Sequence, residues 1–170
     1  ITFINEIANL CEKSNIDVKE VAIGMGLDER IGSRFLRPGP AYGGSCFPKD
    51  TRALVSTGRM FKTNLSVVKS VINSNDKRSN LLLNKISKIM NNKIKNKNIT
   101  FLGVTFKPGT DDMRESSSLK MIPSLIRKGA HVNYYEPTGK KKELKSKKIN
   151  FFENIKDAVS YTHLRAHETS

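Results

Sequence analysis

"NITFLGVTF" (residues 98–106), "ESSSLKMIPSLIRKG" (115–129) and "AHVNYYEP" (130–137) decide the fold class of this chain. The first stretch is rich in β-branched and aromatic residues and predicts a buried strand, and the third stretch predicts a second one. Serines open the middle stretch and Gly129 closes it, as in a helix. A strand, a helix and a strand joined by short turns are typical of a parallel sheet. We therefore predict a partial α/β domain over residues 98–158.

The residues before this sheet follow a helical pattern instead. Apolar side chains recur every three or four residues along residues 3–13, and similar patterns predict helices near 16–26, 48–62 and 65–90. We predict an all-helical domain over residues 1–92. Its last helix carries more apolar positions than one small partner would cover, which favours a dimer interface.

A stretch rich in glycine and proline, "ERIGSRFLRPGPAYGGSCFPKD" (29–50), interrupts the helices. Long irregular segments inside compact domains are often functional. Cys46 follows a glycine pair that lets the backbone approach a ligand, and it precedes Pro48, which suits the first turn of a helix. The positive end of that helix and the neighbouring Lys49 favour a thiolate, and Asp50, one turn on, could accept a proton. These residues predict a nucleophile, although glycine turns before helices also occur without any chemistry.

The charge of the chain raises a different possibility. A formal net charge of +14 would attract an acidic partner such as nucleic acid. Much of the charge lies in two lysine-rich runs, "NNKIKNKN" (91–98) and "GKKKELKSKK" (139–148), which lack the aromatic residues that a single-strand binder interleaves. We interpret both runs as solvated surface and predict no nucleic-acid partner.

Neither the cysteines nor the histidines predict a disulfide framework or a metal site. Cys11 lies on the apolar stripe of the first helix and is expected to be a small buried hydrophobe. His163 and His167 are four residues apart but lack a third ligand. No apolar run approaches the about 20 residues that span a bilayer, and the first residues do not resemble a secretory signal. We expect a cytoplasmic protein with no membrane partner.

Two stretches resemble one known family. "DERIGSRFLRPGPAYGGSCFPKD" (28–50) is similar to the central segment of the UDP-glucose/GDP-mannose dehydrogenase family, and "GVTFKPGTDDMRESSS" (103–118) resembles the signature that opens its nucleotide-sugar-binding domain. The UDP-glucose branch is the best match. The resemblance implies an α/β protein with an all-helical central dimerisation domain followed by a truncated Rossmann-like parallel-sheet domain.

The resemblance also implies a reaction. Enzymes of this kind oxidise the C6 alcohol of UDP-glucose to the acid of UDP-glucuronate by two hydride transfers to NAD. Cys46 would be the catalytic nucleophile, forming a thiohemiacetal and then a thioester, and Asp50 would help to activate water. Lys49 and Arg114 match positions that contact the cofactor.

The implied substrate pocket draws on both signatures. Arg30 matches an arginine that reaches the substrate in a neighbouring subunit, which implies a homodimer or a larger homo-oligomer. The other positions that match substrate contacts are Phe35, Leu36, Arg37, Tyr42, Gly43, Phe106 and Lys107.

Some second-signature residues have simpler interpretations. Arg114 could pair with Asp111 or Asp112 instead of a ligand, and residues 116–118 are typical of a helix start.

Part of the family's pattern is unmatched here. No glycine-rich dinucleotide fingerprint follows a strand, so we expect a fragment of a longer enzyme that is inactive by itself. Ala41 stands where the family commonly has glycine, which would strain the loop if that position needs a positive φ. Residues 159–170 change character, and we expect them to be a non-native tail.

Several alternatives stay open. UDP-N-acetylmannosamine or GDP-mannose could replace UDP-glucose as the substrate. A non-catalytic dimer module that binds nucleotide sugars is a second class, and a basic nucleic-acid binder is a third, whose affinity would fall steeply with salt.

Overall fold

The computed structural model of the chain describes residues 1–160 and 164–166. The first half is helical, as the apolar spacing predicts. Its four helices are α1 (Thr2–Ser14), α2 (Val18–Gly26), α3 (Phe47–Met60) and α4 (Ser66–Ile89).

Local signals set where these helices begin and end. Asp17 caps α2, because its carboxylate accepts a hydrogen bond from the Lys19 N–H at 2.8 Å. Between α3 and α4 the chain folds back tightly, and a Cβ added at Gly58 would lie 2.9 Å from the Leu65 side chain. The third and fourth helices are therefore separate elements that pack on each other.

The second half of the described chain is a parallel sheet with helices. Its elements are β1 (Asn98–Leu102), α5 (Ser117–Arg127), β2 (His131–Tyr135), β3 (Ile149–Phe152), α6 (Ile155–Ser160) and β4 (Leu164–Ala166). The strand order is β3-β2-β1-β4, and every neighbouring pair is parallel. The predicted fold class is confirmed: a helical domain precedes a partial Rossmann-like sheet. The domain boundaries stay predictions.

Strand β1 is shorter than its sequence pattern predicts. The apolar run continues to Phe106, but Gly103 adopts a φ of 82° and turns the chain away from the sheet. The Val104 N–H then donates to the Glu136 carboxylate at 2.9 Å instead of joining a strand ladder. The prediction of a strand over residues 98–106 is therefore wrong at its C-terminal end, where a loop begins.

The main core lies where α4 and α5 meet the sheet. Ile99, Ile122, Leu125 and Val132 are fully buried there. Two of the α4 residues expected at a dimer interface, Leu82 and Ile86, pack in or against this core. Of the other apolar residues on α4, Val67, Leu81 and Ile89 are about half exposed or more, and Val68, Val71 and Ile72 are partly buried. All six stay candidates for an intersubunit contact.

Two predictions concern the end of the chain. Strand β4 falls within residues 159–170, and the expectation that this segment is a non-native tail stays a prediction. His163 and His167 lie outside the described residues. Among the helices that are described, none is both long and apolar enough to cross a membrane.

Candidate functional site

The glycine- and proline-rich loop is held by polar side chains of α1 and α4. The Asn75 side chain makes two hydrogen bonds to the Tyr42 backbone. Its Oδ1 accepts from the Tyr42 N–H at 2.9 Å, and its amide nitrogen donates to the Tyr42 carbonyl at 3.1 Å. Asn5 accepts from the Gly39 N–H at 2.7 Å, and Arg78 donates to the Gly39 carbonyl at 3.0 Å. These bonds take the place of a regular ladder, so an irregular loop has a defined shape.

Arg78 joins this loop to α1 as well as to α4. Its guanidinium also donates to the Asn5 carbonyl and to the Asn9 side chain, at 3.2 and 2.8 Å. Burial lowers the pKa of Arg78 from its ordinary value. Sequence reasoning missed Asn5, Asn75 and Arg78, since buried polar residues on an amphipathic helix have no local signature.

Cys46 lies at the end of this loop and occupies the N-cap position of α3, without a capping hydrogen bond from its side chain. The thiol is exposed, and its sulfur lies 3.8 Å from the Ser45 hydroxyl oxygen. The Asp50 N–H donates to the Cys46 carbonyl at 2.8 Å, which places these two residues on one face of the helix. Lys49 and Asp50 form an exposed ion pair at 3.4 Å. The Cys46 thiol, the Asp50 carboxylate and the Lys49 ammonium thus share one exposed helix end.

The two sequence signatures pack directly against each other at the glycine pair. The Gly44 N–H donates to the Arg114 carbonyl at 2.8 Å. A Cβ added at Gly43 would lie 2.5 Å from the Glu115 carbonyl oxygen, and one at Gly44 would lie 2.7 Å from the Phe106 ring. Because no real Cβ tolerates such distances, only glycine lets the cysteine loop dock on the second domain here.

Arg114 faces the same region from the second domain. Its guanidinium binds the Asp112 carboxylate with nitrogen–oxygen distances of 2.7 to 3.0 Å, the simpler interpretation that the sequence left open. Hydrogen bonding to Asp112 raises the pKa of Arg114, with a smaller contribution from Cys46, and lowers the pKa of Asp112. The Arg114 side chain is still 68% exposed, so it is accessible to a ligand.

The loop after β1 is organised by Glu136, which sequence reasoning also missed. Its carboxylate accepts from the backbone N–H groups of Val104 and Thr105, at 2.9 and 3.3 Å, and from Thr138. Beyond this anchor Lys107 extends over the Phe106 ring, 5.4 Å from its centre. Ser116 caps α5, and its hydroxyl donates to the Val104 carbonyl at 2.6 Å. The interpretation of Ser116 as a helix-start residue is confirmed.

The other predicted contact residues lie along the cysteine loop. Phe35 and Tyr42 both contact Phe47, with ring centres 6.4 and 5.7 Å apart, which sets an aromatic cluster beside Cys46. Leu36 is buried and Arg37 is exposed. Arg30 points to solvent and pairs with Asp28 at 2.6 Å.

Two further predictions can be compared with the backbone and the side chains. Ala41 is not among the described residues with a positive φ, so it does not strain the loop. Within the described ranges no group of three or more histidine, cysteine or carboxylate side chains could hold a metal ion.

The chain matches two sequence models of known domains. Residues 1–77 match the central domain of the UDP-glucose/GDP-mannose dehydrogenase family, and residues 100–167 match the UDP binding domain of the same family. The chain belongs to the UDP-glucose/GDP-mannose dehydrogenase family. The two quoted signatures lie one in each matched domain.

Individual relatives in the dehydrogenase family agree with this assignment. UDP-glucose 6-dehydrogenase of Rhizobium meliloti is 49% identical over 139 residues, and that of Rickettsia bellii is 46% identical over 139 residues; each alignment covers 82% of this chain and 32% of the relative. The solved UDP-glucose dehydrogenase of the archaeon Pyrobaculum islandicum superposes with a TM-score of 0.85 at 29% identity, over 93% of this chain and 37% of that one. The chain thus spans about a third of the length of these dehydrogenases.

Proposed function

We propose that this chain supplies the cysteine nucleophile and part of the nucleotide-sugar pocket of an NAD-dependent UDP-glucose 6-dehydrogenase. The observation that carries the proposal is the exposed Cys46, fixed by Gly43 and Gly44 against the loop that holds Phe106 and Arg114. A thiol at an open helix end and beside cations is suited to attack an aldehyde carbon.

The residues of this chain would act in a fixed order. Oxidation of the C6 alcohol gives an aldehyde, and the Cys46 thiolate adds to its carbon to form a thiohemiacetal. Loss of a second hydride leaves a thioester, and water then attacks the thioester carbon and releases the carboxylic acid and the thiol. Asp50, one helical turn from Cys46, would take the proton from that water.

Two cations near the Cys46 thiol are suited to bind the diphosphate of a dinucleotide. They are the exposed side chains of Lys49 and Arg114. NAD, when bound, would supply the acceptor for both hydrides. A glycine-rich turn after a strand, which commonly cradles such a diphosphate, does not occur in these 170 residues. The chain's own residues would therefore orient the reacting end and leave most cofactor binding to other parts of a complete enzyme.

Support for UDP-glucose over other sugars comes from the relatives. The relatives from Rickettsia bellii, Rhizobium meliloti and Rickettsia typhi, which are 46%, 49% and 42% identical, are named UDP-glucose 6-dehydrogenases. A GDP-mannose dehydrogenase of Pseudomonas aeruginosa and a UDP-D-ManNAc dehydrogenase of Pyrococcus horikoshii are also similar, with TM-scores of 0.63 and 0.69 at 28% and 27% identity. GDP-mannose and UDP-N-acetylmannosamine are therefore the alternative substrates. Phe106, Lys107, Phe35 and Tyr42 would line the sugar-nucleotide pocket.

The same proposal includes an assembly and a location. Arg30 is exposed in the loop that follows α2, as a residue that completes the site of a second copy would be. Exposed apolar side chains on α1 and α4, Phe3, Leu10 and Leu81 among them, would pack in a homodimer. Two free cysteines fit a reducing cytoplasm.

Turnover by the complete protein in which this chain occurs tests the proposal. We expect two NADH for each UDP-glucuronate formed, and higher kcat/KM with UDP-glucose than with UDP-N-acetylmannosamine or GDP-mannose. Cys46→Ser should remove nearly all turnover because an alkoxide leaves a carbonyl carbon less readily than a thiolate. Cys11→Ala, at a cysteine that is 4% exposed, is the matched control and should keep activity. Full activity in Cys46→Ser would refute the mechanism.

Alkylation provides a second measurement on the same protein. Peptide mapping after a short iodoacetamide pulse should find Cys46 labelled long before Cys11, since one thiol is exposed and the other buried. Equal labelling would contradict the assignment of Cys46 as the reactive group.

A further inference from the structure

A chain of four alternating charges crosses the boundary between the two domains. Arg52 on α3 binds Glu115 of the second signature at 3.0 Å and lies 3.8 Å from Asp76 on α4. Asp76 lies in turn 3.6 Å from Lys120 on α5. Three helices and one loop therefore meet through two cations and two anions.

Arg52 and Glu115, which form the shortest ion pair of this cluster, both lie next to residues of the proposed active site. Arg52 lies on α3, and Cys46 occupies the N-cap position of the same helix, so Arg52 and Cys46 belong to one rigid element. Glu115 directly follows Arg114, whose carbonyl accepts from Gly44, and its own carbonyl packs on Gly43. Glu115 also holds a left-handed φ of 53°, which a non-glycine residue adopts at a cost. Arg52 thus fixes an unusual backbone turn at the point where the cysteine loop docks.

The cluster is suited neither to binding a ligand nor to adding much stability. The four side chains line a cavity of about 10 Å³, which holds one water molecule at most. Their side chains are 38 to 48% exposed, and ion pairs this open contribute little to the free energy of unfolding. Their arrangement instead sets the distance and angle between α3 and the loop of Phe106 and Arg114.

We propose that Arg52 and Glu115 are positioning residues. Their ion pair holds Cys46 at a fixed distance from the loop of the second domain that carries Phe106 and Arg114. The inference rests on the proposed function for its catalytic half, whereas its docking half concerns the fold alone. Since a 1 Å displacement of a reacting group can reduce a rate by orders of magnitude, a weak ion pair can matter to kcat while contributing little stability.

Amide hydrogen exchange in the complete protein tests the docking half. The Gly44 N–H donates to the Arg114 carbonyl across the contact between the two domains, here called the seam, so its exchange rate reports on that contact. The Tyr42 N–H donates to Asn75 within the helical domain and is the internal reference. Arg52→Met and Glu115→Gln should each speed exchange at Gly44 by about 2- to 5-fold and leave Tyr42 unchanged. Lys85→Met, which removes the 2.8 Å pair with Glu12 away from the seam, is the matched control and should change neither amide.

Kinetics of the same variants test the catalytic half. Each single variant should lower kcat about 10-fold with a smaller change in KM, and the double variant should be no worse than either single, because the two residues act through one contact. Arg52→Lys should keep part of the rate. Unchanged Gly44 exchange, an unchanged kcat, or additive losses in the double variant would each overturn the inference. If the wild-type protein oxidises no nucleotide sugar, the proposed function fails, and exchange at Gly44 alone decides whether the pair holds the seam.

Discussion

At Gly43 the backbones of the two domains lie against each other. The Glu115 carbonyl oxygen occupies the space a side chain would need, 2.5 Å from an ideal Cβ, and it is a backbone atom that cannot rotate away. We expect Gly43→Ala to separate the loop from the second domain and to lower the free energy of unfolding by about 1–3 kcal/mol, as overpacked sites do. Denaturant unfolding of the complete protein measures this loss.

Gly39 in the same loop provides the control for this substitution. Nothing lies within 4 Å of its ideal Cβ, so Gly39→Ala should unfold close to the wild type. Equal losses in both variants would mean that alanine acts through general loop stiffness and that contact with Glu115 is not the cause.

The glycine pair also shows what a sequence can predict at single residues. Its position before Cys46 correctly indicates a close backbone approach, but the group that approaches is Phe106 and Glu115 of this chain. The identity of that group depends on how two distant segments pack, which no local pattern contains. Arg114 illustrates the same limit, because spacing alone left its pairing with Asp112 as one of two options.

The connection between β1 and α5 depends on one buried carboxylate. Burial on its own raises the pKa of Glu136, but hydrogen bonds from Val104 and Thr138 outweigh burial, so the pKa lies below its ordinary value of 4.5. A carboxylate whose folded pKa is depressed contributes stability above its unfolded pKa, and loses that contribution as pH falls through the folded value. The loop that carries Phe106 should therefore loosen in acid.

We expect Glu136→Gln to lower the free energy of unfolding by about 1–3 kcal/mol at neutral pH, because charge-assisted hydrogen bonds are replaced by weaker ones. The gap from the wild type should shrink as the pH falls below about 4.5. Denaturant unfolding at several pH values measures both effects. Glu153→Gln, at an exposed carboxylate that lines the same cleft as Glu136, should show no such gap. A gap of constant size at every pH would contradict the assigned ionisation.

Helices and strands were predicted better than the contacts that arrange them. Apolar spacing located α1 to α5 and the strands β1 and β2 within a few residues, because burial on one face leaves a periodic signal. The end of β1 was misplaced, since Glu136 draws the Val104 N–H out of the ladder. Asn75 and Arg78 were not predicted, because their partners are loop carbonyls and amides with no pattern of their own.

At the scale of the whole molecule, the chain joins the exposed Cys46 thiol to a domain that matches the family's UDP binding domain. The cysteine loop and the second signature meet through the glycine pair, so packing between the domains sets the position of the Cys46 thiol. The only G-x-G spacing in the helical half, Gly24 and Gly26, lies within α2 and follows no strand. A dinucleotide diphosphate commonly sits on a glycine-rich turn between a strand and a helix. The residues of this chain are thus better suited to bind a substrate and to supply the proposed nucleophile than to bind a dinucleotide cofactor.

The isolated 170-residue chain should therefore fail to reduce NAD with UDP-glucose, although it holds Cys46 and Asp50. Hydride transfer needs the acceptor held against C6, and two exposed cations do not immobilise a dinucleotide. Absorbance at the NADH band, followed with the purified chain and with the complete protein side by side, measures turnover. Far-UV circular dichroism and UDP titration of the same sample establish that the chain is folded and that its second domain accepts a nucleotide. Steady NADH production by the folded chain would show that these residues bind the cofactor unaided. It would then contradict the proposal that other parts of a complete enzyme hold most of the cofactor.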